Sequence, residues 1–234
     1  MTLAARRTFI AMAVALSSGC PDSAAAQEVD PLPSWRDGVA KQRIFDFVAN
    51  VTRPGPHYLP PEARIVLFDD DGTLWEEQAM PLARALTLDP VRHPVLGKRY
   101  SDMVYTPMTE MLAFLRAHGF TPYIVSGGDV DTIRPWASKE LGVPGNQIVR
   151  SRATIEGEPV MAFVSADAGF SMIARTTSGP GARLGVIIDH AETVRGRETD
   201  AVHLLADAPE RGWLVVDVAR DWREVHRSLP WPEH

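Results

Sequence analysis

Cysteine is nearly missing from this sequence of 234 residues, because Cys20 is the only one. An intrachain disulfide framework is therefore excluded. No apolar run approaches the roughly 20 residues that a membrane span needs, so we expect no transmembrane segment in the mature chain. Basic residues are also few, since 24 Lys and Arg stand against 30 Asp and Glu, giving a net charge of −6. An acidic balance without a Lys/Arg run argues against nucleic acid or an anionic membrane as the main partner.

The first 26 residues have the layout of an export signal. Two arginines give a positive start, a short apolar stretch covers residues 9–16, and three alanines end the segment. We therefore expect residues 1–26 to be a cleavable signal peptide and the protein to be periplasmic or secreted. The paired arginines are also similar to a twin-arginine signal, and Cys20 lies in a weaker match to a lipoprotein cleavage box, so the export route stays open.

Short apolar runs alternate with helical patterns along the rest of the chain. Runs that are apolar throughout fit strands buried on both faces, as in a parallel sheet. Strand and helix in alternation predict an α/β fold with a Rossmann-like, doubly wound parallel sheet. The predicted strands lie at residues 64–68, 121–125, 147–149, 159–164, 184–188 and 213–218, and the predicted helices at 35–52, 108–118 and 130–141.

Breaks in these patterns divide the chain into three parts. Residues 1–26 are the signal peptide, 27–62 are an N-terminal helix and a linker, and 63–234 form the main domain. The linker ends in a stretch rich in proline and glycine, which interrupts regular structure. From about 76 to 106 no buried-strand pattern appears, and we expect a small, mostly helical cap there.

The strongest chemical signal is the run Asp69-Asp70-Asp71-Gly72-Thr73 directly after the first predicted strand. Two carboxylates spaced by one residue stand at the carboxyl end of that strand, where parallel sheets bind ligands. One carboxylate can attack phosphorus to form an aspartyl-phosphate, and the other can protonate the leaving oxygen and later activate water. Two close carboxylates also attract a hard cation such as Mg²⁺. An acidic surface turn and a calcium loop of the EF-hand type are the alternatives, and the preceding apolar strand argues against both.

A second signal follows the next predicted strand. Ser126 is followed by Gly127 and Gly128, so a hydroxyl and two backbone amides stand before a predicted helix, where phosphate groups bind. We expect Ser126 to donate a hydrogen bond to a phosphoryl oxygen, with Gly127 or Gly128 adding an amide donor. Ser-Gly-Gly alone most often marks a simple turn, and its position after a strand is what gives it weight.

Together these motifs resemble the haloacid dehalogenase superfamily, whose first motif is DxDGT after an apolar strand. The resemblance is to the phosphatase branch, because true dehalogenases differ at the position of Asp71. It covers most of residues 35–224 and extends to an exported subgroup that is similar to phosphoserine phosphatases. It implies that Asp69 is the nucleophile, that Asp71 is the acid and base, and that Thr73 helps to bind phosphate. It also implies Mg²⁺ as cofactor and a small phosphorylated substrate.

The cation that the superfamily places against phosphate is hard to find in this chain. Only three lysines are present, and the segment at 149–161 is shorter than in the relatives. Arg152 or Arg150 is expected to substitute, since arginine binds phosphate well and stays charged. Further candidate cations lie in the expected cap: Arg92, Lys98 and Arg99.

The acidic fourth motif of the superfamily is matched in outline after the fourth predicted strand. Asp167 fits its first acidic position, and we take it as a metal ligand together with Asp69 and Asp71. Gly169 stands where the relatives have a second aspartate, and Asp189 on a later strand is the rival ligand. The sequence therefore predicts an exported, Mg²⁺-dependent phosphomonoester hydrolase. Its departures from the pattern leave open a degenerate member that binds a phosphorylated ligand or partner without efficient turnover.

Overall fold

The computed structural model describes residues 29–76, 100–128, 130–190 and 200–226. The predicted signal peptide and most of the expected cap, at 77–99, lie outside the described residues. Among the residues that are described, no helix has both the length and the apolar character needed to cross a bilayer.

A sheet of six parallel strands forms the centre of the fold. The strands are β1 (Ile65–Asp69), β2 (Thr121–Val125), β3 (Ile148–Val149), β4 (Met161–Val164), β5 (Leu184–Asp189) and β6 (Leu214–Asp217). They lie in the order β3-β2-β1-β4-β5-β6, which is the order of a doubly wound sheet. The predicted α/β fold is therefore confirmed, and each predicted strand is present with small shifts of its ends.

Helices cover both faces of this sheet. Within the described residues the α-helices are α1 (Val39–Thr52), α2 (Thr106–Ala117), α3 (Val130–Leu141), α4 (Phe170–Thr177), α5 (Val202–Arg211) and α6 (Val218–Asp221). Short 3₁₀ helices cover Pro61–Ala63, Tyr100–Met103, Gly145–Gln147, Arg152–Thr154 and Asp167–Gly169. The first helix begins at Val39 rather than at Trp35, because Trp35 forms an antiparallel bridge with Trp222 instead.

Alternate residues of β1 face two different helical layers, as the pleat of a strand requires. Val66 and Phe68 pack into a core with α1, α2 and α3, whereas Ile65 and Leu67 pack into a second core with α4 and α5. Because the buried face of α1 belongs to the first core, the predicted N-terminal helix packs with the sheet in the same unit.

Two aromatic rings join β1 to β4 directly beneath the end of β1. Phe68 and Phe163 are register partners on these strands, and their rings stack at a centroid distance of 4.7 Å with an angle of 4° between the planes. Both side chains are fully buried. Asp69 is the next residue after Phe68, so this ring pair packs directly beneath the predicted nucleophile.

The variant Phe163→Leu tests the contribution of this ring pair to stability. It keeps an apolar side chain and removes the stacked ring, so we expect a loss of about 1–2 kcal/mol in the free energy of unfolding. Urea denaturation measures the change. The control is Val39→Ala at the start of α1, where the side chain is 75% exposed and the change should stay under about 0.5 kcal/mol. Equal losses in the two variants would contradict the role of the ring pair.

Candidate active site

The predicted site residues meet at the edge formed by the carboxyl ends of the strands. Strand order reverses between β1 and β4, and doubly wound sheets bind ligands in the crevice outside such a point. Asp69 ends β1 and pairs in register with Val125, so Ser126 follows directly on the neighbouring strand. Ser165 follows β4 on the other side. The ends of three adjacent strands therefore surround the crevice.

A tight loop follows β1 and carries the acidic motif. The amide of Gly72 donates to the carbonyl of Trp75 at 2.8 Å, and the amides of Thr73 and Leu74 donate to the carbonyl of Asp70. Gly72 has a positive φ of 72°, a conformation that side chains disfavour. A Cβ added at Gly72 would also lie 2.6 Å from the hydroxyl oxygen of Ser165. Glycine is thus required here by both the backbone and the available space.

Replacing Gly72 by alanine should destabilise the loop. We expect Gly72→Ala to lower the free energy of unfolding by about 1–3 kcal/mol, because it adds strain at a positive φ and a clash. The matched control is Gly127→Ala, since a Cβ added at Gly127 meets no atom within 4 Å and the cost there should be within about 0.5 kcal/mol. Thermal and urea unfolding of both variants give the comparison, and a Gly72→Ala protein as stable as Gly127→Ala would contradict it.

Asp69 occupies a partly buried position in which its carboxyl group is hard to ionise. Burial, followed by the negative charges of Asp70 and Asp71, raises the pKa of Asp69 from 3.8 to about 7. The amide of Asp70 opposes this change by donating to Oδ1 of Asp69 at 3.1 Å. Among the described residues, the charges that act on Asp69 come from carboxylates. Near pH 7 the group is therefore divided between its neutral and ionised forms.

This raised pKa makes the stability of the protein depend on pH. The folded chain holds the Asp69 proton between pH 3.8 and about 7, whereas the unfolded chain releases it, so stability falls as the pH rises through this range. Relative to Asp69→Asn, the wild type should lose stability on the order of a few kcal/mol between pH 4 and pH 8. Urea unfolding in buffer without divalent ions measures this difference. The exposed Asp46→Asn is the control, and parallel pH profiles for wild type and Asp69→Asn would refute the assignment.

Asp70 takes part in the site, although the sequence analysis assigned it no role. Its Oδ2 accepts a hydrogen bond from the hydroxyl of Ser126 at 2.5 Å, and that hydroxyl oxygen in turn accepts from the amide of Gly128 at 3.1 Å. Ser126 is 0% exposed. The predicted phosphate donor is therefore engaged with Asp70, while Gly127 and Gly128 lie at the exposed surface.

Asp71 presents its carboxylate to solvent, in contrast to its two neighbours. The indole Nε1 of Trp75 donates to Oδ1 of Asp71 at 2.6 Å, which orients the group. Thr73 is fully buried, and its hydroxyl has no hydrogen-bond partner among the described residues. Asp71 therefore has access to water, as an acid and base requires, whereas the Thr73 hydroxyl points into the protein interior.

Two further residues hold the acidic loop, and the sequence analysis did not single them out for this. Ser165 donates from its hydroxyl to the carbonyl of Asp71 at 3.0 Å. The Nε2 of His190 lies 2.6 Å from the carbonyl of Gly72, and because a carbonyl only accepts, Nε2 carries the proton. Burial lowers the pKa of His190, against the opposing effects of that hydrogen bond and of nearby carboxylates, so the ring is neutral at pH 7. The position of Ser165 directly after a predicted strand was the sequence feature that could have indicated its place at the site.

Asp167 begins the short 3₁₀ helix after β4, and its carboxylate lies against the first turn of α5. Its carboxylate accepts from the amides of His203 and Leu204 at 3.0 Å and lies 2.6 Å from Nδ1 of His203. Burial acts to raise the pKa of Asp167, but these hydrogen bonds outweigh it and the pKa is lowered. The carboxylate therefore caps a helix in this structure.

Arg152 forms an ion pair with a nearby carboxylate. Its Nη2 lies 2.5 Å from Oε2 of Glu158, and the residue belongs to a 3₁₀ turn after β3. Arg150 lies at the exposed surface. The predicted phosphate-facing cation is thus paired with a carboxylate of its own segment.

The magnesium centre with three carboxylates that the resemblance implies stays a prediction. No group of three or more His, Cys, Asp or Glu side chains in the described part of the chain is placed to hold a metal ion. Next to Asp69 the fold has Gly169, where an added Cβ would lie 3.4 Å from Oδ2 of Asp69 but only 2.6 Å from Cγ1 of Val164. Asp69 and Asp71 lie on the loop at the crevice, and the rival ligand Asp189 ends β5, the strand next to β4.

Comparison with known proteins leaves the family open. The chain matches no protein-family model, and it matches no curated protein. Function therefore has to be argued from the site itself.

Proposed function

We propose that this chain is a phosphomonoester hydrolase that works through an aspartyl-phosphate on Asp69. The main support is that Asp69 ends the central strand at the point where strand order reverses, with Asp71 at the exposed side of the same loop. A carboxylate that ends a buried strand in a ligand-binding crevice is well placed for nucleophilic attack.

In the first step, the ionised carboxylate of Asp69 attacks the phosphorus of the ester. The bond between phosphorus and the ester oxygen breaks, and the leaving oxygen takes a proton from the carboxyl group of Asp71. The pKa of Asp69, about 7, leaves an ionised fraction at neutral pH that is large enough for attack.

In the second step, Asp71 accepts a proton from water, and the water oxygen attacks the phosphorus of the aspartyl-phosphate. Inorganic phosphate leaves and the carboxylate of Asp69 is regenerated. Solvent exposure of Asp71 supports this role. The hydrogen bond from Trp75 holds the carboxyl group of Asp71 in one orientation through both steps, first with the ester and then with water.

The variant Asp69→Asn tests this proposal most directly. The purified protein is assayed on an aryl phosphate and on a panel of phosphomonoesters, with added Mg²⁺ and with EDTA, since the resemblance implies a magnesium requirement. Asp69→Asn should lower kcat by at least about 10³-fold, and Asp71→Asn by about 10²–10⁴-fold. The exposed Asp46→Asn should keep full activity. Activity of Asp69→Asn equal to that of the wild type ends the proposal.

Binding of a phosphorylated ligand without turnover is the second candidate function. It is favoured by the engagement of Asp167 with α5 and of Arg152 with Glu158, because both groups were expected to assist turnover. In this case no phosphoester is hydrolysed, yet inorganic phosphate raises the melting temperature by binding the folded state.

We also propose that the protein acts outside the cytoplasm. The support is the export-signal pattern of residues 1–26 alone, so the substrate would be a small phosphorylated compound of the periplasm or the surroundings.

A further inference from the structure

The acidic loop has a glycine directly after the proposed acid and base, Asp71. Glycine has no side chain to restrict its backbone, and Gly72 adopts a positive φ of 72°. The peptide planes on its two sides carry the carbonyl of Asp71 and the carbonyl of Gly72 itself. Contacts that fix both carbonyls therefore fix φ and ψ of Gly72, the backbone joint next to Asp71.

Side chains from two neighbouring strands hold these consecutive carbonyls. The hydroxyl of Ser165, directly after β4, donates to the carbonyl of Asp71 at 3.0 Å. The Nε2–H of His190, directly after β5, donates to the carbonyl of Gly72 at 2.6 Å. Since β4 and β5 are adjacent in the sheet, both peptide planes are held from outside the loop by the ends of two paired strands.

The imidazole of His190 is itself held by aromatic rings. Its centroid lies 5.4 Å from that of Tyr105, which precedes α2, and 6.3 Å from that of Trp222, which follows α6. Both of these residues are buried. Nε2 carries a proton in the tautomer that a carbonyl selects and also in the charged ring, so the hydrogen bond does not depend on the ionisation of His190. This residue therefore supplies position rather than charge.

We propose that His190 is a positioning residue of the reaction, because its Nε2–H fixes the peptide plane after Gly72 and thereby the place of the Asp71 carboxyl group. The kinetic part of this inference rests on the proposed function, in which Asp71 transfers a proton in both steps. The bond from Trp75 orients the carboxyl group, whereas His190 holds the backbone that carries it. A group displaced by about 1 Å can lower the rate by about 10²-fold.

Two variants of equal length separate the donor from the shape of the side chain. His190→Gln keeps an N–H donor, whereas His190→Met has none, and both lose the ring, so the loss of ring packing cancels in the comparison. On an aryl phosphate, kcat of His190→Met should lie at least about tenfold below that of His190→Gln, with KM values within about twofold. The exposed His57 provides the matched control, since His57→Gln and His57→Met should have equal kcat.

Amide hydrogen exchange measures the loop without any turnover. The amide of Gly72 donates to the carbonyl of Trp75, and the amide of Leu74 donates to the carbonyl of Asp70. Both amides should exchange about fivefold faster in His190→Met than in His190→Gln, because one hydrogen bond fewer opposes local opening. Nitrogen-15 NMR of the wild-type imidazole should show a protonated Nε2, and this measurement decides even where the variants fail to fold.

The outcomes separate this inference from the proposed function. Equal kcat of His190→Gln and His190→Met, in an active enzyme, overturns the role of His190 and leaves the proposed function intact. A difference confined to KM, or an unprotonated Nε2 in the wild type, overturns it as well. A wild type without phosphatase activity removes the proposed function and the kinetic role together, and equal exchange rates in the two variants then also overturn the hold of His190 on the loop.

Discussion

Three consecutive carboxylates at the end of a buried strand are the constraint around which the rest of the site is arranged. Each one is accommodated differently. Asp69 keeps a raised pKa and accepts from the next amide, Asp70 accepts from a buried hydroxyl, and Asp71 reaches solvent and accepts from an indole. Within the described residues, an amide, a hydroxyl and an indole donate these hydrogen bonds, and all three donors are neutral.

Such an arrangement costs stability, and this points to a function. In most of the described sheet and helices the chain follows the local rules: apolar strands are buried, helices bury one face, and two aromatic rings stack beneath β1. The acidic loop departs from them, because like charges lie side by side in a partly buried place. Departures of this kind in an otherwise regular fold are concentrated where proteins bind or react.

Much of the fold could be predicted from the sequence, because an apolar run indicates a buried strand without any knowledge of which strands lie next to it. The shared edge of Asp69 and Ser126 could be predicted as well, because parallel strands bring their carboxyl ends together. The hydrogen-bond partners of the polar side chains at the site could not be predicted. Asp167 accepts from amides 36 and 37 positions further along the chain, and the hydroxyl of Ser126 donates to Asp70, 56 positions earlier. Tertiary packing determines which of several possible hydrogen-bond partners a polar side chain contacts, and this packing produces no periodic pattern in the sequence.

The two candidate functions, turnover and binding alone, both depend on the protonation state of Asp69. Two unit charges about 6 Å apart interact by about 3 kcal/mol at an effective dielectric constant near 20, whereas a neutral hydrogen bond contributes about 1 kcal/mol. A dianion therefore binds more easily when Asp69 holds a proton, as its pKa of about 7 permits.

Nucleophilic attack requires the opposite state, because a protonated carboxyl group is a poor nucleophile. Binding and turnover thus favour different protonation states of the same group when neutral donors alone surround the ligand. A positive charge beside Asp69 would remove the opposition between binding and turnover, because it stabilises both the bound dianion and the ionised carboxylate. The positive charge available at this edge of the sheet is therefore the physical difference between a phosphatase and a protein that only holds its ligand.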